Sequence, residues 1–199
     1  MTIGPETLDS YERGGELTRL REGVGRLEFW RTQDVLRRVL PPAPARVLDV
    51  GGGTGAHAEW LAADGYEVEL IDPVPLHVAR AERLPGVTAR LGDARQLPAP
   101  DGSADAAGTG LMVSPREGGF RGCFHDPDEI PGEFADAGLP EPARYGLEGA
   151  FWLYGDIDVW LDDEGRRELL LDAARRLESV PSLLGVSGHL PAASTVGTG

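Results

Sequence analysis

Between Arg46 and Leu91 short apolar runs alternate with helical segments, an order that few folds accept. Arg46-Val47-Leu48-Asp49-Val50 is a brief apolar stretch ending in glycines, the pattern of a buried strand. His57 to Ala63 reads as a helix closed by Asp64-Gly65, because glycine accepts the left-handed turn that ends helices. Glu67-Val68-Glu69-Leu70-Ile71 is a second strand and leads into Asp72-Pro73. Leu76 to Leu84 forms a second helix, Val87 to Leu91 a third strand, and Gly92-Asp93 a turn. Strands joined through helices pair in parallel by right-handed crossovers. The expected class is therefore α/β, with a doubly wound, mostly parallel sheet and helices on both faces.

A chain of 199 residues is within the span of one domain, so residues 1–199 are read as a single unit. It has an N-terminal helical segment over 1–40, a βαβαβ half over 46–98 and a shorter C-terminal half over 104–199. Residues 1–25 are polar, with at most one short helix around Glu16 to Arg21. Leu27 to Leu40 is helical in spacing and stops at Pro41-Pro42. Ala104 to Val113 reads as a fourth strand weakened by Gly108 and Gly110, and Ser114 to Gly122 as loop. Asp126-Pro127-Asp128-Glu129 has the form of a helix start, yet Pro131 falls late for a first turn. The helix is therefore expected from Gly132 to Gly138. Asp162 should cap a helix to about Glu178, with Leu169, Leu170, Ala173, Ala174 and Leu177 on its inner face. Leu183 to Leu190 reads as a closing strand that Pro191 cuts off, and Ala192 to Gly199 as a frayed end.

Apolar residues make up 41% of the chain and charged residues 26%, which excludes wholesale disorder. No apolar run reaches about 18 residues, and the start MTIGPETLDS has no signal-peptide core, so neither a membrane span nor a leader is expected. The charge balance, 19 basic against 33 acidic residues for a net −14, opposes a phosphate backbone, and no nucleic-acid partner is expected. All the basic residues are arginine, which excludes Schiff-base chemistry and a P-loop lysine. Cys123 is the only cysteine, which excludes an internal disulfide and a cysteine-rich zinc site and fits a reducing cytoplasm.

The chemistry centres on Asp49-Val50-Gly51-Gly52-Gly53-Thr54-Gly55-Ala56, where a strand becomes a helix and backbone N–H groups turn outward. Gly51, Gly53 and Ala56 also fit the dinucleotide fingerprint G-x-G-x-x-A, so a nicotinamide enzyme is one reading. Asp49, Asp72 and Asp93 stand at three successive strand ends and should converge on the crevice beyond them. An acid closing the second strand suits a ribose. Asp49 stands where a pyrophosphate would have to lie. Like charges about 4 Å apart at an effective dielectric of about 20 repel by roughly 4 kcal/mol, so this position favours a cationic ligand. S-adenosylmethionine carries a sulfonium and an ammonium and no phosphate.

VLDVGGGTG, ELIDP and LGDARQLP, in that order, resemble the nucleotide-binding half of the class I S-adenosylmethionine-dependent methyltransferases. The resemblance covers about Arg46 to Pro98 and implies a Rossmann-like fold. It implies that Gly51, Gly53 and Gly55 shape the loop under the methionine part, with Asp49 near its amino group. Asp72, followed by Pro73, would take the ribose hydroxyls, and Asp93 with the Ala94 amide would read the adenine edge. The flanks, Tyr11-Glu12-Arg13-Gly14, Gly25-Arg26-Leu27-Glu28-Phe29, and Phe124-His125 with Pro127, Asp128 and Glu129, resemble a small-molecule branch of that family. After Asp105, however, AAGTGLMVSPREGG runs almost directly into FHDPDE, so the sheet is expected to lack central strands four and five. A homodimer that completes the sheet is one consequence.

The remaining chemistry-bearing residues have blander readings. His57 is expected on a helix surface, His77 on a helix and His189 in the last strand as ordinary histidines, and His125 beside a helix cap. His125 and His189 are the candidates if a general base exists. No metal site is expected. Tyr11 is expected to cover a core edge, Phe151, Trp152, Tyr154 and Trp160 to fill a core, and Asp156, Asp158, Asp162 and Asp163 to form a solvated face. The expected activity is methyl transfer to a small-molecule acceptor, with a non-catalytic binding module and a nicotinamide oxidoreductase as alternatives. Holding donor and acceptor in line can supply several kcal/mol, so no catalytic residue has to be visible.

Overall fold

The computed structural model of the chain describes residues 20–94, 96–100, 106–109 and 126–195. Tyr11, Cys123, His125 and the loop Ser114 to Gly122 lie outside the described residues. The described residues fall into two compact units, the first holding residues 40–100 and 106–109, the second residues 20–39 and 126–195.

In the first unit, strands β1 (Arg46–Val50), β2 (Glu67–Asp72), β3 (Val87–Leu91) and β4 (Ala106–Thr109) form one sheet in the order β3-β2-β1-β4. All three pairings are parallel. Helices α1 (Ala56–Ala63) and α2 (Pro75–Ala81) make the crossovers, as the alternation of apolar runs required. Period-2 alternation separates the two faces of β1. Val47 joins Ala58, Leu61, Val68, Leu70 and Ala81 in one apolar cluster. Leu48 and Val50 pack with Ile71 in another. Asp49 falls in phase with Val47, on the face that carries Ala58, Leu61 and Ala81 of the helices.

The weakened fourth strand read at Ala104 to Val113 is present as Ala106 to Thr109, and the expectation that the sheet lacks strand four is corrected. Ala106 to Thr109 pairs with β1 from Val47 to Val50, and Gly108 stands in register with Asp49. The ladder uses only backbone groups, so a glycine there weakens the strand without removing it. Among the described residues no fifth strand joins this sheet. The chain builds β2 and β3 on one side of β1 and then crosses to β4 on the other. That reversal opens a crevice at the carboxyl end of β1, where doubly wound sheets take ligands.

The second unit is mainly helical: α3 (Gly23–Val39), α4 (Ile130–Asp136), a 3₁₀ turn (Gly149–Leu153), α5 (Ile157–Asp162), α6 (Glu164–Leu177) and α7 (Pro181–Leu184). Leu27, Ile157, Leu161 and Leu170 form its core, with Trp30, Phe151 and Trp160 packed against them. Phe151 and Trp160 thus fill a core as expected, whereas Trp152 (46%) and Tyr154 (52%) are exposed.

Several local expectations are corrected here. Leu183 to Leu190 is not a strand: Pro181 starts the short helix α7, and bends follow it. The strand lies later, as β6 (Ala192–Ala193), antiparallel to β5 (Ala143–Arg144), so the part of the end expected to fray is paired. Pro131 sits inside the first turn of α4, where its missing N–H costs nothing, and Asp126 accepts from the Asp128 N–H at 3.0 Å instead of capping the helix. The cap of α6 is Asp163, which accepts from the Arg166 N–H at 2.9 Å. Asp162 closes α5 and pairs with Arg26 at 2.9 Å. On α6 Leu170 and Ala174 are buried, but Leu169 is 68% exposed, so the inner stripe is narrower than its apolar pattern. Among the described residues no helix is long and apolar enough to cross a membrane.

Candidate functional site

The loop from β1 to α1 depends on three glycines with left-handed backbone: Gly51 (φ 76), Gly53 (φ 58) and Gly55 (φ 89). These are the three that the sequence marks out. Their N–H groups are shared among neighbours. Gly51 donates to the Ile71 carbonyl at 2.7 Å, Gly55 to the Gly52 carbonyl at 3.1 Å, and Gly53 to Asp72 Oδ2 at 2.9 Å. A Cβ added at Gly53 would meet nothing within 4 Å, so this part of the loop faces open space. At Gly55 it would lie 2.4 Å from Leu84 Cδ1 and 3.4 Å from Ala81 Cβ. Gly55→Ala should therefore destabilise the protein by about 1–2 kcal/mol, the cost of a side chain in left-handed backbone. Urea unfolding measures this, and an unchanged midpoint would contradict the loop geometry.

Gly52 is the loop residue that sequence reasoning missed, because the fingerprint treats its position as free. A Cβ there would stand 2.5 Å from Asp49 Oδ2 and 2.7 Å from Leu70 Cδ1. The backbone lies directly on the Asp49 carboxylate, and only glycine leaves room for both. Asp49 Oδ2 is buried and has no hydrogen-bond partner. Burial, with the negative charge of Asp72 as a second cause, pushes the Asp49 carboxyl from 3.8 up to about 6.

Asp72, 4% exposed at the end of β2, ties the loop to the next turn. Besides the Gly53 bond, its Oδ1 accepts from the Val74 N–H at 2.8 Å. His77, in the first turn of α2 and 3% exposed, brings Nδ1 to 3.1 Å from Asp72 Oδ1. The expectation of an ordinary packed histidine misses this contact. The only signal was the five-residue step from Asp72, which carries a side chain across a turn and into the following helix. Pro73 is half-buried between Asp72 and Val74.

Asp93 and Ala94 follow β3 at the same carboxyl end of the sheet. Asp93 is half-buried in a tight turn bridged to Gln96, and Ala94 is exposed. The structure thus joins Asp49, Asp72 and the glycine loop in one electrostatic cluster, and sets Asp93 with Ala94 at the end of the outer strand. His57 behaves as a helix-surface residue, its Nδ1 accepting from the Trp60 indole N–H at 3.1 Å.

Residues 47–117 match the family described as "Methyltransferase domain". An uncharacterised methyltransferase of Mycobacterium tuberculosis is 46% identical over 70 residues, which cover 34% of this chain and 28% of that relative. The demethylmenaquinone methyltransferase of Clavibacter sepedonicus is 36% identical over 122 residues, 57% of this chain and 47% of the relative. The chain thus spans less than half the length of these relatives. Among solved structures, an amino pentose methyltransferase from Micromonospora echinaspora with S-adenosylmethionine bound is 40% identical, covering 40% of this chain and 34% of that one at a TM-score of 0.34. Over residues 47–117, which hold the glycine loop with Asp49, Asp72 and Asp93, the chain is similar to methyltransferase domains.

Proposed function

We propose that the chain binds S-adenosylmethionine at the glycine loop and transfers its methyl group to a small-molecule acceptor. The observation behind this reading is the buried Asp49 carboxylate, which has no hydrogen-bond partner at Oδ2. A cationic nucleoside lying on the loop offers this buried carboxylate a counter-charge, whereas a diphosphate adds a like charge. Asp49, Gly51, Gly53, Gly55, Asp72, Pro73, Asp93 and Ala94 are the residues assigned to hold it. The donor, when bound, supplies a methyl group made electrophilic by its sulfonium.

The protein's own contribution is binding and orientation. Asp72 fixes the loop through the Gly53 and Val74 N–H groups and keeps lone pairs for ribose hydroxyls. Asp93 and the Ala94 amide present an acceptor and a donor for a base edge. Asp49, as a carboxylate, attracts the donor's positive charge. The single cysteine suits a reducing cytoplasm, and this reading places the protein there.

Calorimetry with S-adenosylmethionine beside a nicotinamide dinucleotide tests the cofactor, and tighter dinucleotide binding would overturn the assignment. Asp72→Ala should weaken donor binding by about 1–3 kcal/mol, the loss of a charged acceptor. An unchanged dissociation constant in a folded variant would contradict the role of Asp72. A second reading, a binding module without turnover, is favoured by the sheet of the described residues, which stops at β4. Formation of S-adenosylhomocysteine with a panel of acceptors supports the enzyme. Donor binding with no turnover across the panel supports the module.

A further inference from the structure

Within the second unit, Glu28, Glu148 and His189 come together from three distant parts of the chain. Glu28 lies on α3, Glu148 is the N-cap of the 3₁₀ turn, and His189 stands between α7 and β6. Glu148 is fully buried and Glu28 is 7% exposed. His189 Nδ1 hydrogen-bonds Glu148 Oε1 and stands 3.7 Å from Glu28 Oε2. One ligand atom from each residue falls within 4.8 Å of the other two.

The other oxygen of Glu148 is held separately. Its Oε2 accepts from the Ser187 hydroxyl at 2.9 Å and from the His189 backbone N–H at 3.0 Å. These bonds fix the carboxylate and leave Oε1 directed at the histidine ring and Glu28. Outer hydrogen bonds of this kind are how metal sites orient their ligands.

We propose that Glu28, Glu148 and His189 form a three-ligand site for a divalent transition ion of the zinc type. Two carboxylates and a neutral imidazole around a divalent ion sum to zero charge, which suits two buried carboxylates and a partly exposed histidine. The donor set of one nitrogen and two oxygens fits Zn²⁺ or Mn²⁺ better than Ca²⁺ or Mg²⁺, which prefer oxygen alone. Ligands about 2.0–2.2 Å from a tetrahedral ion stand roughly 3.4 Å apart. The Glu28–His189 separation is already near that spacing. The ion takes the place of the proton between His189 and Glu148, and that pair opens to admit it. Three protein ligands leave a fourth position for water or another small ligand. The site is contained in the second unit and does not depend on the donor reading.

The test uses the full chain, stripped of metal with a chelator and titrated with Zn²⁺ against a chromophoric competitor. One equivalent should bind, and Glu148→Gln and His189→Ala should each weaken binding by at least about tenfold, the scale of lost metal-site interactions. Co²⁺ in place of Zn²⁺ should give visible d–d bands and one shifted, exchangeable imidazole N–H proton resonance, absent from His189→Ala. Failure of the wild-type protein to bind one equivalent, or unchanged binding and Co²⁺ spectrum in His189→Ala, would overturn the site. Should Glu148→Gln fail to fold, the Co²⁺ spectra of the wild type and His189→Ala decide.

Discussion

Asp49→Asn is expected to make the protein more stable at neutral pH and to weaken donor binding more than tenfold. The carboxyl titrates at 3.8 when unperturbed and at about 6 in the folded protein, with burial as the main cause. A raised folded value means that the native state holds this proton to higher pH than the unfolded chain does. The associated stability is complete below about pH 4 and is lost as pH rises through about 6. Above that, a shift of about two units costs the wild type about 3 kcal/mol. An amide escapes the cost, so the variant should gain about 1–3 kcal/mol at pH 7.

The informative quantity is the difference between wild type and variant, since other carboxylates add their own pH dependence on the acid side. Against the opposing effect of burial, Arg175, Arg31 and Arg38 hold Asp34 below its usual value, and the His189 contact does the same for Glu148. Their contributions cancel in the difference, which should appear between about pH 4 and 6 and stay level above. Urea unfolding at several pH values measures it, and a flat difference would show that Asp49 is not a buried anion. In the wild type, donor affinity should fall as pH drops below about 6, because the proton competes with the ammonium. The variant should lack that dependence. Greater stability with poorer binding is what a site held in strain by its own charge entails.

Arg31→Met is expected to destabilise the second unit by about 2–4 kcal/mol. Arg31 is fully buried on α3, donating to the Leu147 carbonyl at 3.2 Å, to Asp34 and to Glu178. Methionine nearly keeps the volume but supplies no donor. The Leu147 carbonyl then loses its partner, at a cost of about 1–3 kcal/mol. Glu178 and Asp34 lose a buried counter-charge, a type of loss that can reach about 3–5 kcal/mol. The total stays below the sum because Arg38 still reaches Glu178 at 2.7 Å and Arg175 reaches Asp34 at 2.8 Å. Guanidinium unfolding followed through the tryptophans measures the change. If the same substitution costs as much in a Glu178→Gln background, Glu178 is not the energetic partner.

Both variants probe features outside the reach of sequence patterns. The aspartate at position 49 was legible, and so was its place two residues before a glycine turn. That its carboxylate would be roofed by Gly52 and left unpartnered was not, because the roof depends on how loop and strand pack together. Arg31 sits in an amphipathic helix, where an arginine ordinarily reads as solvated. Its burial follows from Glu178, Asp34 and Leu147 meeting it, two of them more than a hundred residues away.

Over Arg46 to Leu91 the sequence by itself determined the strand–helix alternation, the parallel pairing and the three glycines that need positive φ. Each of these depends on neighbours within a few residues: apolar periodicity, backbone sterics and the short reach of a crossover. Local patterns misread Leu183 to Leu190 as a strand, because Pro181 and a short apolar run suit a helix turn equally well. A weakened strand within Ala104 to Val113 was legible, but only the tertiary structure decided that Ala106 to Thr109 pairs with β1 despite its glycine. It also decided that His77 faces Asp72, and that Glu28, Glu148 and His189 come within reach of one another. Pairing partners, burial and the ionisation that follows are set by distant residues brought close, and no stretch of sequence carries them alone.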